Sequence, residues 1–141
     1  ISNFAKPGFA CRHNLNYWQQ GDYLGFGPAA VTTSGDLRST NIPDLRGYLQ
    51  SLNAGQLPGR ETETLDDKTR CAERIMLSLR QNAGLDLESL RLDFGYDLLV
   101  AERDLLSDLV NSGDLLHDAS NLRLTAKGML RYNLIAAALM P

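Results

Sequence analysis

From Leu65 onward the apolar residues of this chain recur mostly at helical spacing, and before Arg60 they do so only at Leu45, Leu49 and Leu52. That change of pattern constrains the fold more than any single motif, because it separates a mostly helical piece from one that is not. Ala72, Ile75, Met76 and Leu79 make one helix face that closes at Gly84, with Thr64 or Asp66 as the N-cap. A short helix follows from Asp86 to about Phe94. A third begins at Asp97, turns Leu98, Ala101, Leu105, Leu109 and Val110 towards the core, and ends before Gly113. Leu115–Leu116 and Leu122–Arg123–Leu124 flank the polar Asp118–Ala119–Ser120–Asn121, which predicts a β-hairpin, and Thr125 caps a last helix. Helix, helix, helix, hairpin, helix is the order of a winged-helix-like module with an added C-terminal helix.

The front piece is rich in Gly, Asn and aromatic residues. Tyr23–Leu24–Gly25–Phe26–Gly27 predicts a buried strand running into a turn at Gly27–Pro28, and Val31 to Asn41 a polar loop. Asn41 as a cap and Pro43 as the first helical residue open a helix carrying Leu45, Leu49 and Leu52, which stops at Gly55. A linker runs from Gln56 to about Glu63. The expected class is therefore α+β in two pieces, residues 1–60 and 61–141.

Length leaves room for one domain, or for a small domain plus part of another, since one core takes about 100–150 residues and the chain has 141. A formal charge of -3 offers no basic surplus for nucleic acid. The candidate recognition helix sets Asp97, Glu102, Asp104 and Asp108 against a single Arg103, which a phosphate backbone would repel, so a packing role is expected. The run Leu134 to Met140 falls short of the roughly 20 residues that cross a bilayer. Ile1–Ser2–Asn3–Phe4 has no signal-peptide character and no initiator Met, which predicts a fragment, and the cysteine usage makes a reducing cytoplasm the default. Cys11 and Cys71 are too far apart for a C-x-x-C pair.

Two clusters carry candidate chemistry. In His13–Asn14–Leu15–Asn16–Tyr17–Trp18, a helical turn puts His13 and Tyr17 on one face and Asn14 and Trp18 on the next. Imidazole is a common heme-iron ligand and flat rings pack on a porphyrin, so the group suits a large planar ligand; it equally suits a capped structural turn. The second cluster is Gly21 to Ala30, whose small residues allow either close approach of a ligand to the backbone or a tight strand exit. It lacks the third glycine of a dinucleotide fingerprint. His117, beside Asp118 on the hairpin, is expected to be a surface residue.

Taken together, Ile1–Ser2–Asn3–Phe4–Ala5–Lys6–Pro7–Gly8, the H-N-x-x-Y-W segment His13–Trp18 and Gly21–Pro28 resemble the radical SAM family of oxygen-independent coproporphyrinogen III oxidase-like proteins (HemN/HemW), in particular its heme-chaperone branch. The likeness continues through Glu73–Arg80 and Gly84–Leu85 to Leu124–Thr125–Ala126–Lys127–Gly128.

The resemblance implies that residues up to about Arg60 are the last strand or strands of a partial TIM-like radical SAM barrel, followed by a mainly helical C-terminal domain. It implies His13 as candidate heme iron ligand, with Asn14, Tyr17 and Trp18 supporting it, and Gly27, Ala30 and Val31 near S-adenosylmethionine. The family's C-x-x-x-C-x-x-C motif for a [4Fe-4S] cluster is absent, so the cluster ligands are expected upstream and this chain alone is expected to be inactive. Where the chaperone-like pattern reads G-A-H-S, this chain has Ala29–Ala30–Val31–Thr32, and an aliphatic residue there is closer to the oxidase branch. The implied function is heme binding and delivery to a membrane-associated respiratory partner, with oxidative decarboxylation of coproporphyrinogen III, or a cofactor-free interaction module, as alternatives. Unpaired barrel strand edges leave an oligomer open.

Overall fold

The computed structural model describes residues 3–141; Ile1 and Ser2, which begin the first resemblance motif, lie outside the described residues. The chain is α+β. It divides into two compact units, Gln20–Asp66, and Asp67–Pro141 together with the segment before Gln20. The second unit thus ends at Asp66, and the N-terminal segment groups with the C-terminal residues. That segment carries the first helix, α1 (Arg12–Trp18).

Within Gln20–Asp66, strands β1 (Val31–Ser34), β2 (Leu37–Asn41) and β3 (Arg60–Thr64) form an antiparallel sheet in that order, and helix α2 (Leu45–Asn53) joins the last two. β1 and β2 pair from Val31↔Thr40 to Ser34↔Leu37, and β2 pairs β3 from Leu37↔Thr64 to Asn41↔Arg60. The predicted polar loop is thus a hairpin, and the second half of the predicted linker belongs to the third strand of the sheet. Both escaped the periodicity because the sheet has almost no apolar face: every residue of β3 is exposed. Its cross-strand contacts are polar, with Ser39 Oγ 3.1 Å from Thr62 Oγ1 and the Arg38–Glu63 ion pair at 3.7 Å. α2 is capped by Asp44, whose carboxylate accepts from the backbone of Arg46 and Gly47 at 3.0 Å, so the helix begins two residues beyond Pro43. Leu45, Leu49 and Leu52 lie at the expected spacing but are exposed.

The predicted buried strand is corrected. Tyr23 bridges Thr33 of β1, and the alternation of an extended chain then turns Leu24 and Phe26 outward, where they are 71% and 85% exposed. Gly25, on the inward side, lies so close to β1 that a Cβ there would fall 2.2 Å from the Val31 carbonyl oxygen. The small residue serves the approach of the chain's own backbone.

The larger unit holds the apolar core. Helix α3 (Asp67–Ser78) leads to β4 (Leu85–Asp86) and α4 (Leu87–Phe94); α5 (Leu98–Ala101) and α6 (Arg103–Asn111) follow, then β5 (Leu115–Asp118), β6 (Asn121–Leu124), α7 (Ala126–Leu130) and α8 (Tyr132–Leu139). The strands form an antiparallel sheet in the order β4–β6–β5. Ile75, Leu79, Leu85, Leu90, Leu98, Leu115, Leu122 and Leu139 are fully buried together. Caps sit where the sequence puts them: Asp86 accepts from Ser89 N at 2.8 Å, Asp97 from Val100 N at 3.2 Å, and Thr125 Oγ1 from Gly128 N at 3.0 Å. The helix expected from Asp97 to Gly113 is broken at Glu102, where φ is -118° and ψ 33°. The break shifts the helical phase, so Leu106 and Leu109 are buried while Ala101 and Val110 face solvent.

Asp114 has no exposed surface, although it is charged. Its Oδ2 accepts from Ser112 Oγ at 2.9 Å and from Arg131 Nη1 at 2.5 Å, and Lys127 Nζ lies 3.4 Å from Oδ1. Its backbone is tied as well, since Thr125 N donates to the Asp114 carbonyl at 3.0 Å and Thr125 Oγ1 to the Gly113 carbonyl at 2.8 Å. One acidic residue thus fastens the end of α6 to the start of α7. Burial works to raise its pKa; the Ser112 hydrogen bond and the Arg131 and Lys127 charges outweigh that and hold it below its ordinary value. A folded-state pKa depressed in this way stabilises the fold at neutral pH, and the contribution is lost as pH falls through that pKa. Asp114→Asn is therefore expected to destabilise the protein at pH 7, with the deficit against the parent shrinking below about pH 4. Urea midpoints of both proteins at neutral and acid pH test this; a deficit independent of pH would show that the ionised carboxylate is not the stabilising form.

Candidate functional site

α1 brings the H-N-x-x-Y-W residues together on about two turns of helix. Its backbone closes through Leu15 N to the Cys11 carbonyl at 3.0 Å and Gln19 N to the Leu15 carbonyl at 2.9 Å. His13 and Tyr17 fall on one face, as i,i+4 spacing requires, and their rings meet edge to face with centroids 4.7 Å apart. His13 is exposed, whereas Asn14, Tyr17 and Trp18 are half-buried. The imidazole is thus held by an aromatic edge and reachable from solvent, with Tyr17 giving apolar area beside it. An exposed imidazole nitrogen of this kind can coordinate a metal ion approached from solvent. Cys11 is exposed at the N-cap position and makes no side-chain cap.

A connection that sequence reasoning missed holds α1 in place. Gln81, just beyond α3, donates from Nε2 to the Trp18 carbonyl and to the Leu77 carbonyl, each at 3.4 Å. Trp18 and Gln81 are 63 residues apart, and no motif marks the pairing.

The second candidate group, Gly27, Ala30 and Val31, belongs to the Gln20–Asp66 unit, not to the one that holds α1. Its backbone polar groups are engaged within that unit. Gly27 N donates to Tyr48 Oη at 3.0 Å, and the Gly27 carbonyl accepts from Asn41 Nδ2 at 2.9 Å and from Ala30 N at 3.3 Å. The Ala30 carbonyl accepts from Asn41 N at 3.0 Å, and Gly25 covers Val31. What this corner presents to a ligand is van der Waals surface from half-buried Ala30 and Val31.

Among the described residues no group of three His, Cys, Asp or Glu side chains is placed to hold a metal ion. The donor set of this chain does not fit an iron–sulfur cluster, since Cys71 is buried and Cys11 stands apart from it in sequence by 60 positions. Burial raises the Cys71 thiol pKa against the lowering effect of Arg74, which keeps it protonated and inert. His117 is exposed on β5. No helix among the described residues is long and apolar enough to cross a membrane.

Residues 65–131 match the family described as the HemN C-terminal domain. The chain is 31% identical over 140 residues to the heme chaperone HemW of Bacillus subtilis (strain 168), a match covering 99% of this chain and 37% of that protein. It is 28% identical over 130 residues to the heme chaperone HemW of Lactococcus lactis subsp. lactis (strain IL1403), covering 91% of this chain and 33% of that one. The chain therefore spans about a third of the length of these relatives. Among solved structures it is similar to coproporphyrinogen III oxidase (HemN) from Escherichia coli, described as a radical SAM enzyme, with a TM-score of 0.65 and 25% identity over 85% of this chain and 28% of that chain.

Proposed function

Since the chain is the C-terminal part of a HemN/HemW-family protein, we propose that it serves heme metabolism by carrying the heme-binding helix of a heme chaperone. The observation that supports this reading above the others is the exposed His13, braced edge-on by Tyr17 on α1. Neutral imidazole offers one nitrogen lone pair to heme iron. A single axial ligand on an exposed helix binds its cargo without enclosing it, and cargo held that way passes readily to an acceptor. Tyr17 and Trp18 add apolar contact to the porphyrin face, and half-buried Asn14 supports the turn beneath them. The acceptor in this reading is a membrane-associated respiratory protein.

In the whole protein we assign the [4Fe-4S] cluster to residues outside this chain, where it would supply one-electron cleavage of S-adenosylmethionine. Gly27, Ala30 and Val31 contribute packing surface near that molecule. The second reading is oxidative decarboxylation of coproporphyrinogen III, favoured by the likeness to the Escherichia coli oxidase and by the aliphatic Val31 at the corner.

His13→Ala is expected to raise the hemin Kd at least tenfold and to change the Soret band of the bound form, as loss of an axial ligand should. Hemin titration followed by absorbance reads both. Affinity and spectrum unchanged from the parent would remove His13 from the site, and steady turnover of coproporphyrinogen by the cluster-loaded whole protein would favour the oxidase.

A further inference from the structure

α1 has seven residues and buries none of them. Isolated helices persist in water only from about 12–15 residues upward. The orientation of α1 must therefore come from what it rests on, and it packs on α3. A helix C-terminus leaves carbonyls with no intrahelical donor, and Trp18 contributes one of them. Gln81 Nε2 donates to it at 3.4 Å and to the Leu77 carbonyl of α3 at the same distance. A carboxamide NH2 has two N–H bonds and no charge, which lets it bridge two helix carbonyls; a carboxylate has nothing to donate there.

Gln81 is itself held. Its backbone N donates to the Ser78 carbonyl at 3.0 Å, its carbonyl accepts from Gly84 N at 3.0 Å, and Gly84 lies against the backbone of Leu122 in β6. A continuous run of backbone and amide contacts thus leads from the central strand of the core sheet to the end of α1.

We propose that Gln81 is a positioning residue for cargo binding: its amide fixes α1 on α3 so that His13 presents its imidazole in one orientation. The proposal rests on the heme reading above, and it adds that the heme-binding helix is governed from the C-terminal core through one uncharged side chain.

The test is hemin titration of the full chain at the Soret band, combined with hydrogen exchange of the α1 amides, for Gln81→Ala, Gln81→Glu and His13→Ala. Loss of one hydrogen bond at a helix end is expected to raise the hemin Kd about fivefold to tenfold in Gln81→Ala, to shift the Soret maximum and to speed α1 exchange. Gln81→Glu keeps the shape without the donor, so it is expected to lose as much. Unchanged affinity in both Gln81 variants, with binding lost in His13→Ala, overturns the positioning role and leaves the heme reading standing. Weakened binding in Gln81→Ala that Gln81→Glu does not share assigns the effect to packing and likewise overturns it. Unchanged affinity in His13→Ala sinks the heme reading itself, and the positioning of His13 with it.

Discussion

Gly128→Ala should destabilise the unit formed with Asp67–Pro141 by about 3 kcal/mol or more, lowering its melting temperature by roughly 10–20 °C. A Cβ at Gly128 would stand 1.9 Å from the Asp114 carbonyl oxygen and 2.9 Å from its carbon. Neither atom can yield cheaply. The oxygen accepts from Thr125 N, and the same residue's side chain is clamped by Ser112 and Arg131. Moving the carbonyl would thus loosen a buried carboxylate from its partners, and an unpaired buried charge costs far more than a methyl group gains. Thermal melting followed by circular dichroism measures the loss; a variant within about 0.5 kcal/mol of the parent would show that the α6–α7 junction is free to shift.

The second large effect separates two glycines that look alike in sequence. Gly84 and Gly113 both follow a helix and both have positive φ, +77° and +72°. Alanine at either pays the left-handed backbone cost of about 1–2 kcal/mol. At Gly113 the space around a new Cβ is open, and nothing further is lost. At Gly84 the Cβ would meet the Leu122 carbonyl oxygen and Arg123 Cγ, both at 2.3 Å, on the central strand of the core sheet. Gly84→Ala should therefore cost about 3 kcal/mol or more and Gly113→Ala about 1–2 kcal/mol. Equal urea midpoints for the two variants would refute the close-approach argument.

These positions also show what was legible in the sequence. Gly84–Leu85 and Leu124–Thr125–Ala126–Lys127–Gly128 stand out by resemblance, and the fold supplies the physical reason. Gly84 lets α3 turn onto β6, Thr125 caps α7, Lys127 donates to the Ser112 carbonyl at 2.6 Å, and Gly128 makes room for Asp114. Helical periodicity located α3, and apolar pairs flanking a polar turn located the β5–β6 hairpin, because each turns leucines or isoleucine into a common core.

Periodicity failed at Glu102, where a break in phase leaves the spacing of leucines nearly unchanged. It failed again in β1–β3, whose alternation is polar on polar. The burial of Asp114 had no signal, since its partners Ser112, Lys127 and Arg131 are ordinary surface residues until the chain folds. At the candidate site the spacing of His13 and Tyr17 was enough to put them on one face, and the observed helix does so. Gln81 was invisible because a hydrogen bond to a backbone carbonyl leaves no trace in residue type at Trp18.

The grouping of α1 with residues Asp67–Pro141 bears on how the protein should be dissected genetically. Counted along the chain, Gln20–Asp66 is an insertion: the polypeptide leaves the larger unit after Gln19 and returns to it at Asp67. A truncation designed on the matched segment 65–131 would discard the His13 helix at one end and α8, with buried Ile135, Ala136 and Leu139, at the other. Such a piece would expose the seat of α8 as bare apolar surface and lack α1 altogether, and loss of hemin binding by it would say nothing about where hemin binds.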